Sequence, residues 1–235
     1  MPLSLHIIPS HTPHDFTPIT TTEDLAYRSP YNTFYELLRG SSLADFTTRQ
    51  AAAHVGDPSS FWCYVVDDAT GVVAGAMGWN LHEEVVDWRG VEVKAEWLEG
   101  EEKELADLVF EQFFGGRGAC IGTPHLLISY CFTHPSYRRQ GVGRQMMAYG
   151  LAIADAKGLP TWVESTECGR VFYESCGFEM VNALEFEVER VVGEKEGFEK
   201  RTGLELPEGK RWGWVLKREV KEVEEVVEDK DKVFL

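Results

Sequence analysis

Hydrophobic and polar positions change period several times along this chain, and each change marks an element. Residues 3–8 read as a short first strand; Ser, Thr, His and Pro then punctuate the chain before helical stretches around 22–26 and 33–38. Residues 61–66 and 72–77 are apolar, β-branched and aromatic runs, and the Asp-Asp-Ala-Thr-Gly between them supplies a turn, which predicts a hairpin. From 81 to 124 the pattern is less regular. Acids and Trp88 come first, then a helix from about 101 to 114 with Leu105, Val109 and Phe113 on one face, then glycines. This stretch is expected to be an excursion over the sheet.

Residues 125–132 are apolar enough for a central strand. Within 142–157, Val142, Met146, Tyr149 and Ile153 fall on one helical stripe, and Gly158 followed by Pro160 supplies a cap and a stop. A short strand at 161–165 and a short helix at 166–176, closed by Gly177, come next, and the order strand, helix, strand predicts parallel pairing through a crossover. Leu184, Phe186 and Val188 alternate with Glu185, Glu187 and Glu189, and Trp212, Trp214 and Leu216 alternate likewise. Two antiparallel edge strands around a loop at 194–210 are therefore expected. Beyond Lys217, valines at 220, 223, 226 and 227 among Glu and Lys suit either an amphipathic helix or a solvated tail.

Composition narrows the class. A chain of 235 residues with 43% hydrophobic residues can bury one large core. Its formal charge of −16 opposes binding to nucleic acid and favours a cationic substrate, although much of the acid lies near the C-terminus, where it serves solubility. Five cysteines (Cys63, Cys120, Cys131, Cys168 and Cys176) form no CxxC pair, which suits reduced thiols in the cytoplasm or the nucleus. The start lacks a basic segment followed by an apolar one, and no run of about 18 apolar residues occurs, so neither secretion nor membrane spanning is expected. His11 and His14 have no further ligands at a recognisable spacing, and no metal is expected.

The segment that carries chemistry joins the strand at 125–132 to the helix at 142–157. In Arg138-Arg139-Gln140-Gly141-Val142-Gly143-Arg144 the glycines allow a tight turn and leave the first helical N–H groups free to bind an anion, with arginines adding charge-assisted contacts. Each helix-terminus contribution is only about 0.3–1 kcal/mol, so a pyrophosphate needs several converging donors. The string GxxxxGK[ST] is absent, and the dinucleotide pattern GxGxxG would need glycine where Met146 stands.

The wider string from 127 to 181 resembles the GNAT superfamily of N-acetyltransferases, whose [Gln/Arg]xxGx[Gly/Ala] motif is matched by Arg138, Gly141 and Gly143. The continuation through Ala152, Asp155, Gly158, Glu164-Ser165, Gly169, Phe172-Tyr173 and Gly177-Phe178 is similar to the version found in fungal members, and covers roughly a quarter of the chain. The resemblance implies that acetyl-CoA is the acyl donor. It implies that backbone groups of Cys131, Phe132 and Thr133 pair with the pantetheine arm. Main-chain amides of Arg139, Gln140, Gly141, Val142, Gly143 and Arg144, with Arg138, would hold the pyrophosphate, and Ser165, Gly169, Phe172 and Tyr173 would complete the donor side. Tyr173 falls on the tyrosine that many members use as general acid to the leaving thiolate.

Placement alone offers Glu164 and Glu84 as candidate bases, and Glu83, Glu84 and Asp87 as a group that could draw a cationic amine towards the cleft. The fold expected is a single α/β domain over residues 1–218, with a mixed, mostly antiparallel central sheet splayed between strands 4 and 5 and flanked by helices, and a charged tail over 219–235. The expected function is transfer of an acetyl group from acetyl-CoA to a primary amine, on a small molecule or a peptide, by direct attack. The alternative is a non-catalytic acyl-CoA sensor or scaffold.

Overall fold

The computed structural model describes residues 2–220 of the chain. Seven strands form one sheet: β1 (Leu3–Ile8), β2 (Ser60–Asp67), β3 (Val72–His82), β4 (His125–Thr133), β5 (Thr161–Ser165), β6 (Glu179–Glu185) and β7 (Arg211–Arg218), in spatial order β1-β2-β3-β4-β5-β7-β6. Every pairing is antiparallel except β4 with β5. The helices are α1 (Thr17–Tyr27), α2 (Thr33–Arg39), α3 (Leu43–Gly56), α4 (Gly100–Cys120), α5 (Val142–Lys157), α6 (Glu167–Glu174), α7 (Glu189–Val192) and α8 (Lys195–Thr202). None is long and apolar enough to cross a membrane.

Local chemistry accounts for most of these boundaries. Asp67 turns the β2–β3 hairpin by accepting the Ala69 N–H, while Gly71 takes a φ of 73°. Asn32 and Ser42 cap α2 and α3 by accepting from the amides of Tyr35 and Asp45. Helix α5 begins after Gly141 and ends at Gly158, both left-handed, with Pro160 beyond. Its apolar stripe joins Met77, Trp79, Leu126 and Val163 in the core on one face of the sheet. The other face is covered in two parts, by α1 beside Trp62 and Phe132, and by α2, α4, α7 and α8 around Phe110, Phe186 and Phe198.

Gly150 is where α5 meets the sheet most closely: a Cβ there would lie 2.2 Å from the buried indole of Trp79. A methyl group gains helix propensity of at most about 1 kcal/mol but forces a rigid ring off its seat. Gly150→Ala is expected to destabilise the fold by about 2 kcal/mol net, read as a Tm lower by roughly 4–8 °C.

Four sequence expectations are corrected. Residues 186–189 do not continue a strand: β6 ends at Glu185, and Phe186, fully buried, leads into α7. Strand β7 lies inside the sheet between β5 and β6, so of these two strands β6 alone is an edge, and the 194–210 segment contains α8. Helix α4 runs on through Gly115, Gly116 and Gly118 to Cys120, because its apolar face is held by α2 and α7. Helix α3 went unpredicted because two of its three buried residues, Phe46, Gln50 and His54, are polar, which erases the apolar stripe. The pattern expected at 220–227 falls almost wholly outside the described residues.

Candidate acyl-transfer site

Strands β4 and β5 pair only over Leu126–Ile128 and Thr161–Val163, and then part. A bulge in β4 at Ser129 opposite Gly78 and Trp79 sits at the point of separation, and its hydroxyl is held by Asn80. A bulge strengthens local twist, which swings the rest of β4 away from β5. Ser129 to Thr133 therefore offers a strand edge with no β5 partner. The gap opens into a cavity of about 810 Å³ reaching from the start of α5 to the α1–α2 junction and the 207–213 segment.

The α5 end of this cavity is built for an anion. Arg139 has a φ of 63° and Gly141 one of 86°, so the chain reverses and presents the helix N-terminus to the cavity, where no side chain caps the first-turn amides. Arg139, Gly141, Val142, Gly143 and Arg144 line it, as do Cys131, Phe132 and Thr133 and, on the α6 side, Ser165, Gly169, Phe172 and Tyr173. Gln140 does not, and its amide donates instead to the Ser136 carbonyl. Arg138 also borders the cavity, but its guanidinium donates to the carbonyls of Ala26 and Ser29, both at 2.7 Å, fastening the loop to the end of α1. Arg144 reaches the Ser175 hydroxyl at 3.3 Å.

At the splay Tyr173 is 5% exposed, and its phenol lies close enough to the Cys131 thiol for the two to interact. Burial drives this phenol well above its ordinary value, with Cys131 adding to the rise, and burial pushes the Cys131 thiol up to about 12. Both stay protonated at neutral pH. Tyr27, from α1, donates to the Cys131 carbonyl at 3.3 Å.

The candidate bases fare differently. Glu164 borders the cavity, but Arg117 grips it with Nε–Oε1 at 2.6 Å and Nη2–Oε2 at 3.1 Å, and the guanidinium lies over the rings of Phe113 and Trp88. To act as a base Glu164 would have to give up that pair. Glu84 is exposed after β3, at the end of the sheet remote from the loop before α5, and is not among the cavity residues. Glu83 binds Lys157 at 2.7 Å and Asp87 caps the short turn at Trp88, so the trio does not form a lure at the cleft.

The residue that sequence reasoning missed is Glu23. It is 1% exposed, borders the cavity, and burial pushes its carboxyl up to about 8. Its Oε2 accepts from the Gln50 amide at 3.1 Å, and its Oε1 has no hydrogen-bond partner. A signal existed. Phe16, Ile19, Glu23 and Ala26 recur at helical spacing, so the acid interrupts an apolar stripe. Among the described residues no group of three His, Cys, Asp or Glu side chains could hold a metal ion.

A splayed parallel pair, an uncapped helix N-terminus and a protonated phenol meet at one junction on the cavity wall. Residues 101–180 match the family model described as "Acetyltransferase (GNAT) domain". A probable acyltransferase SID5 of Ajellomyces capsulatus is 26% identical over 142 residues, spanning 57% of this chain and 93% of that one. Among solved structures, a mosquito arylalkylamine N-acetyltransferase like 5b aligns over 92% of this chain and 100% of its own, with a TM-score of 0.59 at 14% identity. A Corynebacterium glutamicum protein described as histone acetyltransferase HPA2 and related acetyltransferase aligns over 93% and 97%, with 0.55 at 15% identity. Residues 101–180 thus resemble the GNAT superfamily of acetyltransferases, and the fold of the described residues is that of the solved acetyltransferases.

Proposed function

We propose that this protein transfers the acetyl group of acetyl-CoA to the primary amine of a small molecule by direct attack, without an acyl-enzyme. The observation that carries this is the place of Tyr173, a buried phenol beside the Cys131 thiol on the cavity wall where β4 parts from β5. A phenol kept protonated there is placed to serve the leaving sulfur of a thioester threaded through the same gap. The amides of the first turn of α5 would hold the pyrophosphate, and the unpaired edge of β4 would pair with the pantetheine arm.

In the transfer step the neutral amine attacks the carbonyl carbon; the C–N bond forms, the C–S bond breaks, and the sulfur takes the Tyr173 proton, which is restored from the amine nitrogen. Residues facing the other half of the cavity, such as Tyr31, Phe34 and Trp212, favour an acceptor with an apolar body. All five cysteines are free, which supports a reducing compartment such as the cytoplasm.

The test is release of CoA thiol from acetyl-CoA with a panel of primary amines. Thiol release that depends on the amine, with the acetamide identified by mass, is the expected result. Tight acetyl-CoA binding without amine-dependent release would make the protein a sensor.

A further inference from the structure

Two neighbouring acids on α1 are treated very differently by the fold. Asp24 is met by Arg28 at 2.5 Å and by Arg39 at 3.5 Å. Glu23, equally buried, is met by no Lys, Arg or His among the described residues. A buried carboxyl without a cation costs stability, and it is worth keeping where a ligand supplies the missing partner.

The surroundings specify that partner. Beside the orphaned Glu23 Oε1, the Tyr35 hydroxyl and Gln50 Oε1 also lack hydrogen-bond partners. A primary ammonium group has three N–H donors to offer such acceptors. The rings of Tyr27, Tyr35 and Tyr130 lie close enough to feel the Glu23 charge, and Tyr27 stacks on Tyr35 with centroids 4.8 Å apart. Aromatic faces attract a cation. From these observations we propose that Glu23 seats the acceptor's ammonium group in a tyrosine-walled pocket and takes its proton, so that the acceptor is a primary monoamine on an apolar arm. The proposal rests on the acetyl-transfer function above.

The groups facing Glu23 set its titration. On its own helix are Asp24, paired with arginines, and Tyr27; α2 brings Tyr35, β4 brings Tyr130, and α3 brings Gln50, with Arg49 near Tyr130. Each tyrosine is itself shifted upwards and stays neutral, so Glu23 titrates alone, near 8. At pH 7 the resting carboxyl therefore carries its proton, and an arriving ammonium displaces it to solvent. Of the three ammonium protons, one then passes to Glu23. One leaves the nitrogen as the C–N bond forms and the C–S bond breaks, and accounts for the proton delivered to the leaving sulfur through Tyr173. The last stays on the amide. A second cation on the acceptor is opposed on the far side of the cavity by Arg211, the charge of Arg117 being matched by Glu164.

The experiment compares wild type with Glu23→Gln, a substitution of equal size that keeps a partner for Gln50, using 2-phenylethylamine as the probe. With CoA bound, calorimetry of the amine at pH 7 in buffers of different ionisation heat is expected to show close to one proton released per amine for wild type, falling towards zero at pH 9.5, and none for the variant. In turnover, wild-type kcat/KM is expected to rise with pH through about 8 and to favour 2-phenylethylamine over spermidine by at least about tenfold. The variant is expected to lose that limb and fall about 10²-fold at pH 7.5, with acetyl-CoA affinity unchanged. Equal proton release or an intact alkaline limb in the variant, or no amine binding by wild type, overturns the role of Glu23. A preference for spermidine overturns the monoamine class. Amine binding with proton release but no CoA thiol would instead sink the acetyl-transfer function and leave the ammonium seat standing.

Discussion

Tyr173→Phe is expected to slow acetyl transfer by about 10³-fold, within the range for loss of a positioned acid, and to leave acetyl-CoA affinity within about twofold. The substitution is clean because the ring stays where it is. Tyr173 packs 5.4 Å from Phe172 and 5.6 Å from Phe178 between centroids, contacts that phenylalanine keeps. What is lost is one hydroxyl beside the Cys131 thiol. The leaving thiolate then departs without a proton donor, so the deficit belongs in kcat and grows with the basicity of the thiol. Steady-state kinetics with separate measurement of acetyl-CoA binding checks this. Turnover unchanged by the substitution removes Tyr173 from the mechanism.

Arg117→Leu has the largest expected effect on stability, a loss of about 3–5 kcal/mol. The side chains of Arg117 and Glu164 are 9% and 6% exposed, and the guanidinium forms both arms of a fork on the carboxylate. Removing the cation leaves Glu164 charged and buried, whereas leucine replaces much of the packing against Phe113, Phe114 and Trp88. The cost therefore comes from the stranded charge. Denaturant unfolding should show a large fall for Arg117→Leu and recovery of most of it when Glu164→Leu is added. A double variant as unstable as the single one would assign the loss to packing instead.

Much of the donor half was legible because its chemistry is local. The turn at Arg139 and Gly141, the stripe of α5 and the stop at Gly158 and Pro160 follow one another within about 20 residues, and α5 and β5 have the bounds their periodicity implies. The acceptor half is assembled from distant segments. Arg117 and Glu164 lie 47 residues apart, and Gln50 and Glu23 lie 27 apart, so no spacing along the chain announces either pair. Glu83, Glu84 and Asp87 were attractive because they follow a strand. Strand β3 delivers them to the wrong end of the sheet, since it runs antiparallel to the β4 strand that leads into the binding loop. Glu23 was passed over for the opposite reason: an acid in a helix is ordinarily solvated, and only the layer formed by α3 and β4 makes this one dry.

The guanidinium of Arg138 gives this architecture a mechanical character. Its two bonds to Ala26 and Ser29 tie the loop before α5 to the last turn of α1, the turn that follows Glu23. One side chain is thus a strut between the proposed grip on the donor and the proposed seat of the acceptor. A displacement of the loop would be carried into the helix that bears the carboxyl, so the two ends of the cleft are joined by one side chain and not by the sheet alone.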